Sequence, residues 1–157
     1  MGPAFRATMK ETSEKQESHW YRKGWAMSIL WAVILVVSGI WLVALALVIL
    51  VRPQAAERFL NLFASSTTAH WVEQLLRLVA GAALWFYSPH MWMAETFRIF
   101  GGIILVSAVV LLVLPWRMHQ RFAQWVLPWV LRHLTLYALG ALLIGCWVLA
   151  GVLVPLL

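Results

Sequence analysis

The chain has 157 residues, of which 63% are hydrophobic and 11% are charged. Soluble domains run at roughly 45–50% apolar and about 25% charged, so lipid must surround much of this polypeptide. The formal net charge of +6 calls for an anionic partner; the cations flank apolar runs, so the lipid bilayer meets that need and no nucleic acid is expected.

Residues 1–23 form a polar tail in which Glu11, Glu14 and Glu17 alternate with Lys10 and Lys15, a pattern that predicts disorder or weak helix. From Gly24 to Val51 no side chain ionises. A spanning helix needs about 20 apolar residues at 1.5 Å rise each, so a first transmembrane helix is expected over about 25–51. That run is too long for the apolar region of a cleaved signal peptide and is expected to remain as an anchor.

A connector follows, with an interfacial helix predicted over about 53–64. Phe59, Leu62 and Phe63 take one side and Glu57, Arg58 and Asn61 the other. Ser65, Ser66, Thr67 and Thr68 supply caps for a second span at about 70–88, which Ser88-Pro89 ends. Ile99 to Trp116 is free of ionisable groups, which predicts a third span at about 97–115.

In the next connector Met118, Phe122, Trp125, Val126 and Trp129 recur at helical spacing opposite Arg117, Gln120, Arg121 and Gln124. That spacing predicts a basic amphipathic helix over about 116–128 lying in the headgroup plane, begun by Pro115 and kinked or restarted at Pro128. A fourth span is expected over about 134–155. Most of the eleven tryptophans fall near span ends or in connectors, with Trp71, Trp116, Trp125 and Trp129 as interfacial anchors.

The two halves share a pattern. Arg58-Phe59 and His70 recur as Arg121-Phe122 and His133, 63 residues on, each following a proline, Pro53 or Pro115. Gly39 and Gly102 have the same separation. The fold expected is therefore an all-α membrane protein: four transmembrane helices as two parallel hairpin repeats with amphipathic interfacial connectors. In this connector pattern and hairpin plan, residues 39–155 resemble a doubled form of small two-span bacterial inner-membrane proteins of unknown function. The resemblance implies a bacterial cytoplasmic membrane and transfers no site residue. Lys and Arg divide evenly between the tail and the two connectors, and the early helix tips the expectation towards both termini cytoplasmic.

Chemistry is sparse. There is no aspartate, and beyond the tail only Glu57, Glu73 and Glu95 carry carboxylates. Deep positions are read as free of carboxylate, lysine, asparagine and glutamine, which disfavours ion-coupled transport. Paired acids, a Ser/His/Asp set and metal-spaced cysteines are missing, so no catalytic residue and no enzyme are expected.

Four groups remain as candidates. Glu73 and Arg77 stand four apart for a helical ion pair, and together with Arg58 and Arg121 are candidates for contact with a lipid or quinone headgroup. Glu95 and Arg98 make a similar pair. His70 and His133 begin spans on one membrane side, where facing imidazoles could ligate haem iron, although the plainer role is an interfacial hydrogen bond. Gly81, Gly101, Gly102, Ala141 and Gly145 mark faces for close helix packing, within the chain or against another copy or another membrane protein. The leading expectation is a non-catalytic accessory or scaffolding subunit of a larger inner-membrane complex, with no cofactor. A quinone- or lipid-binding protein is the alternative, and a haem-bearing electron carrier comes third.

Overall fold

The computed structural model describes the backbone of residues 3–58, 67–114 and 116–156, with side chains from Trp25 onward except at 67, 116, 117, 119, 120, 123, 124, 127 and 156. Among the described residues the long helices are α1 (Pro3–Val51), α2 (Thr67–Tyr87), α3 (Ala94–Val113), α4 (Trp116–Arg132) and α5 (Leu134–Leu153). Helix α1 runs back through the polar tail without a break. After Arg52, which interrupts the helix, residues 53–58 form a further helical segment; the rest of the expected first interfacial helix, with Phe59, Asn61, Leu62 and Phe63, lies outside the described residues.

Among the described residues three segments are long and apolar enough to cross a membrane: Trp25–Val51 of α1, α3, and α5. The expected fourth does not qualify. Helix α2 has the length, 21 residues, but His70, Glu73, Gln74 and Arg77 crowd its first half and lower its hydropathy below that of a self-sufficient span.

Helices α1 and α5 pack along one another, as do α2 and α3, and α1 also touches α2. Both main pairings depend on glycines that bring backbones together. A methyl on Gly145 would lie 2.9 Å from the carbonyl oxygen of Gly39, and one on Gly101 would lie 2.9 Å from that of Gly81. Water does not drive apolar surfaces together inside lipid, so this intimate van der Waals contact is what holds the helices.

Aromatic stacks tie the pairs into one bundle. Phe97 of α3 stacks on Trp147 of α5 at 4.1 Å, and Trp31 of α1 stacks on Phe86 of α2 at 5.6 Å. Around Phe97 the buried core gathers Leu35, Leu84, Tyr87, Met91 and Val148. Gly151 leaves room for the Phe97 ring edge. A second cluster, Ala46, Ile49, Ala56, Leu134, Ala138 and Ala141, closes α1 on α5 at the other end.

The α2–α3 turn is built locally. Ser88 ends α2 by donating from Oγ to the Trp85 carbonyl at 2.9 Å, and Ser88–His90 form a 3-10 turn with Pro89 at its start. Arg98 lies with its guanidinium 5.0 Å from the Trp85 ring, a cation–π contact in place of the ion pair expected with Glu95. Ser38 and Ser107 donate to carbonyls of their own helices, Ile34 and Ile104, which satisfies each hydroxyl where lipid cannot.

Candidate functional site

Helix α2 carries the polar residues of the bundle and divides them between two faces. Glu73 and Arg77 form the expected ion pair, with Arg77 Nε donating to Glu73 Oε1 at 3.0 Å and Nη2 at 2.5 Å. The pair turns outward, with side chains 32% and 43% exposed. Its depth follows from the antiparallel register. Gly81 faces Ile104 and Gly101 faces Leu84, so carrying the pairing back sets Arg77 level with Ala108, near the middle of the charge-free run 99–116.

The other face turns inward. His70 is 5% exposed, and Gln74, one turn further, is completely buried. Neither the amide nitrogen nor the carbonyl oxygen of Gln74 has a hydrogen-bond partner among the described residues. This corrects the reading that deep positions lack glutamine. Gln74 was visible only through its spacing: it lies four residues after His70 and seven before Gly81, on the stripe that the bundle buries. An enclosed amide left without partners costs about 1–3 kcal/mol.

The second connector is α4, which continues through Pro128 to Arg132 instead of restarting there. A turn residue, His133, separates it from α5; the His133 ring nitrogen Nδ1 is 2.9 Å from the Trp129 carbonyl oxygen, and the two rings are 4.9 Å apart. The face formed by Met118, Phe122, Trp125 and Trp129 stays exposed and does not fold onto the bundle. Such a face on a helix joining two spanning segments suits the bilayer boundary. Trp71 is exposed as well; the Trp116 side chain lies outside the described residues.

The remaining candidates are dispersed. Arg58 and Arg121 are exposed, on the 53–58 segment and α4. His70 and His133 belong to α2 and the α4–α5 junction. Of the small residues, Gly81, Gly101 and Gly145 make backbone contacts, Gly102 meets the Trp85 ring, and Ala141 belongs to the second core cluster. Gly39 and Gly151, for which sequence gave no packing role, make contacts as close. Among the described residues no three His, Cys, Asp or Glu side chains cluster as a metal site would require. The chain matches no family model, no curated protein and no solved structure.

Proposed function

We propose that the chain is a non-catalytic membrane protein that packs, as an accessory or scaffolding subunit, against a larger assembly in a bacterial cytoplasmic membrane. The observation that carries this reading is the outward Glu73–Arg77 pair at the level of Ala108. A half-exposed ion pair facing hydrocarbon is unfavourable, and intramembrane charges characteristically face protein or a polar cavity. A neighbouring subunit covering that side of α2 would supply the protein environment.

In this reading α2 is the fourth crossing. Its 21 residues extend about 31 Å at helical rise, and its pairing with α3 lets it cross where its own hydropathy would not suffice. Four crossings return the C-terminus to the side of the N-terminus, taken as cytoplasmic. The two-hairpin repeat is supported by an exchange of contacts: Gly39 against Gly145 pairs the first and fourth spans, and Gly101 against Gly81 pairs the third and second, with similar carbonyl approaches in both.

Affinity capture of the full chain in mild detergent, with quantitative mass spectrometry, tests the subunit reading. A larger membrane protein is expected at fixed stoichiometry. The double variant Glu73→Leu/Arg77→Leu leaves no orphan charge and should fold, yet lose at least about tenfold of that partner, a change of about 1.4 kcal/mol. Wild-type protein that emerges without a stoichiometric partner would refute it.

A second reading, a bound quinone or lipid-like molecule in the bundle, is favoured by Gln74, whose amide offers a buried donor and acceptor. Quinone or lipid co-extracted at one per chain, and absent from Gln74→Leu protein, would select that reading.

A further inference from the structure

Between Trp125 and Arg132 the surface of α4 is indented. Trp125, Val126, Pro128, Trp129 and Arg132 line a groove of about 540 Å³. Its two indoles are 79% and 62% exposed. Helix α4 has no acidic residue in its sequence and ends on Arg132. Arg132 is exposed, and no hydrogen bond or ion pair engages its side chain among the described residues.

Position selects the occupant. Helix α5, one of the membrane-length segments, begins at Leu134, two residues after Arg132. A bilayer spanned by α5 would put the guanidinium at the edge of the hydrocarbon, close to the lipid phosphates, and the indoles prefer the same boundary. A guanidinium presents a fork of donors that fits two phosphate oxygens, and the aromatic walls suit the glycerol and upper acyl carbons. His133 helps hold the site: its Nδ1 meets the Trp129 carbonyl oxygen and its ring lies against the Trp129 indole.

We propose that this groove is a binding site for one anionic phospholipid, with Arg132 on the headgroup phosphate and Trp125 and Trp129 against the glycerol region. The site requires only that α4 lie at the membrane boundary and does not depend on a partner subunit. It assigns to Arg132 a role distinct from that of Arg121, which is exposed on the same helix but does not line the groove.

The test uses the purified full chain in non-ionic detergent with phosphatidylglycerol and phosphatidylcholine of matched acyl chains, and counts retained lipids by native mass spectrometry. Wild-type protein should retain phosphatidylglycerol about fivefold over phosphatidylcholine, as expected for one well-placed cation. Arg132→Gln should abolish the preference, Arg132→Lys should keep part of it, and Arg121→Gln should change it less than twofold. Equal retention of the two lipids by wild-type protein would overturn the proposal, and that comparison stands even if a variant does not fold. Equal losses in Arg132→Gln and Arg121→Gln would also overturn it, by reducing the effect to diffuse charge. So would an Arg132→Gln protein that keeps its lipid preference but sheds a stoichiometric protein partner, since the groove would then hold protein.

Discussion

Gly101→Leu is expected to disrupt the α2–α3 hairpin and give the largest loss of stability among single substitutions in the bundle. A first carbon at Gly101 would lie 2.9 Å from the Gly81 carbonyl oxygen, the Leu84 Cβ and the Trp85 backbone nitrogen. These atoms belong to, or sit directly on, the facing backbone, so no side-chain rotation relieves the clash, and the helices must separate. Overpacking costs about 1–3 kcal/mol in cores that can adjust, and this site, being unable to adjust, should reach or exceed the upper end. Gly145→Leu should behave similarly because its neighbours are the Gly39 carbonyl oxygen, the Leu42 Cβ and Val43. Gly140 has open space around it and lies inside α5, so Gly140→Ala should lose no stability and gain up to about 1 kcal/mol from the better helix propensity of alanine. Thermal unfolding in detergent, followed by circular dichroism and size exclusion, reads all three. A Gly101→Leu protein as stable as Gly140→Ala would show that the close crossing is not what holds the hairpin.

Gln74→Leu is expected to act in the opposite direction and stabilise the protein by about 1–3 kcal/mol. Leucine is one bond shorter but branched and of comparable bulk, and it removes two polar atoms that the bundle encloses without partners among the described residues. Elsewhere in the bundle Ala46, Ala108 and Ala138 are fully buried, as expected of an apolar interior. The same unfolding assay measures the change. A clear loss of stability would mean that the amide is bonded in the native protein, to an internal water or a bound molecule, and would move weight to the ligand reading. A gain would mean that an amide which weakens the fold is kept at the centre of the bundle, in a protein that can fold without it.

Much of the architecture was legible because membrane spans announce themselves through length and missing charge. The three membrane-length segments lie close to the runs read from Gly24–Val51, Ile99–Trp116 and the stretch after His133. The amphipathic face of α4 was equally plain, since Met118, Phe122, Trp125 and Trp129 recur every three or four residues. Run length alone points to a span over α2, but His70, Glu73, Gln74 and Arg77 in its first half keep it from qualifying on its own hydropathy, and a marginal span depends on neighbours that a hydropathy pattern does not see. Of the two outcomes expected at Pro128, a kink or a restart, the restart does not occur, because a proline inside a helix removes one hydrogen bond and crowds the preceding turn but need not end it. Packing was read partially. Small residues identified Gly81, Gly101 and Gly145 as contact points, but which helix each would meet depends on the three-dimensional pairing. Gly151 gave no warning, because its partner Phe97 is far away in sequence.

The sites divide in the same way. The Glu73–Arg77 pair follows from four-residue spacing, a local property of any helix. Whether it faces inward or outward is set by the rotation of α2 against α3, which the Gly81 and Gly101 contacts fix. Gln74 was overlooked for the same reason: next to Glu73 in the sequence it looks like part of a polar patch, yet one residue of helical rotation takes it from the outer side to the interior.

The central claim is that α2 crosses the membrane with α3 as a hairpin, so that the Ser88–Met93 turn lies on the side of the N-terminal tail and α4 on the other. Sidedness labelling decides it, using single cysteines at Ser18, Trp92 and Arg121 in a Cys146→Ser background and a membrane-impermeant maleimide applied to right-side-out and inverted vesicles. Ser18→Cys and Trp92→Cys should react from one face and Arg121→Cys from the opposite face. Reaction of Trp92→Cys from the face opposite Ser18→Cys would leave α2 outside the bilayer and contradict the account.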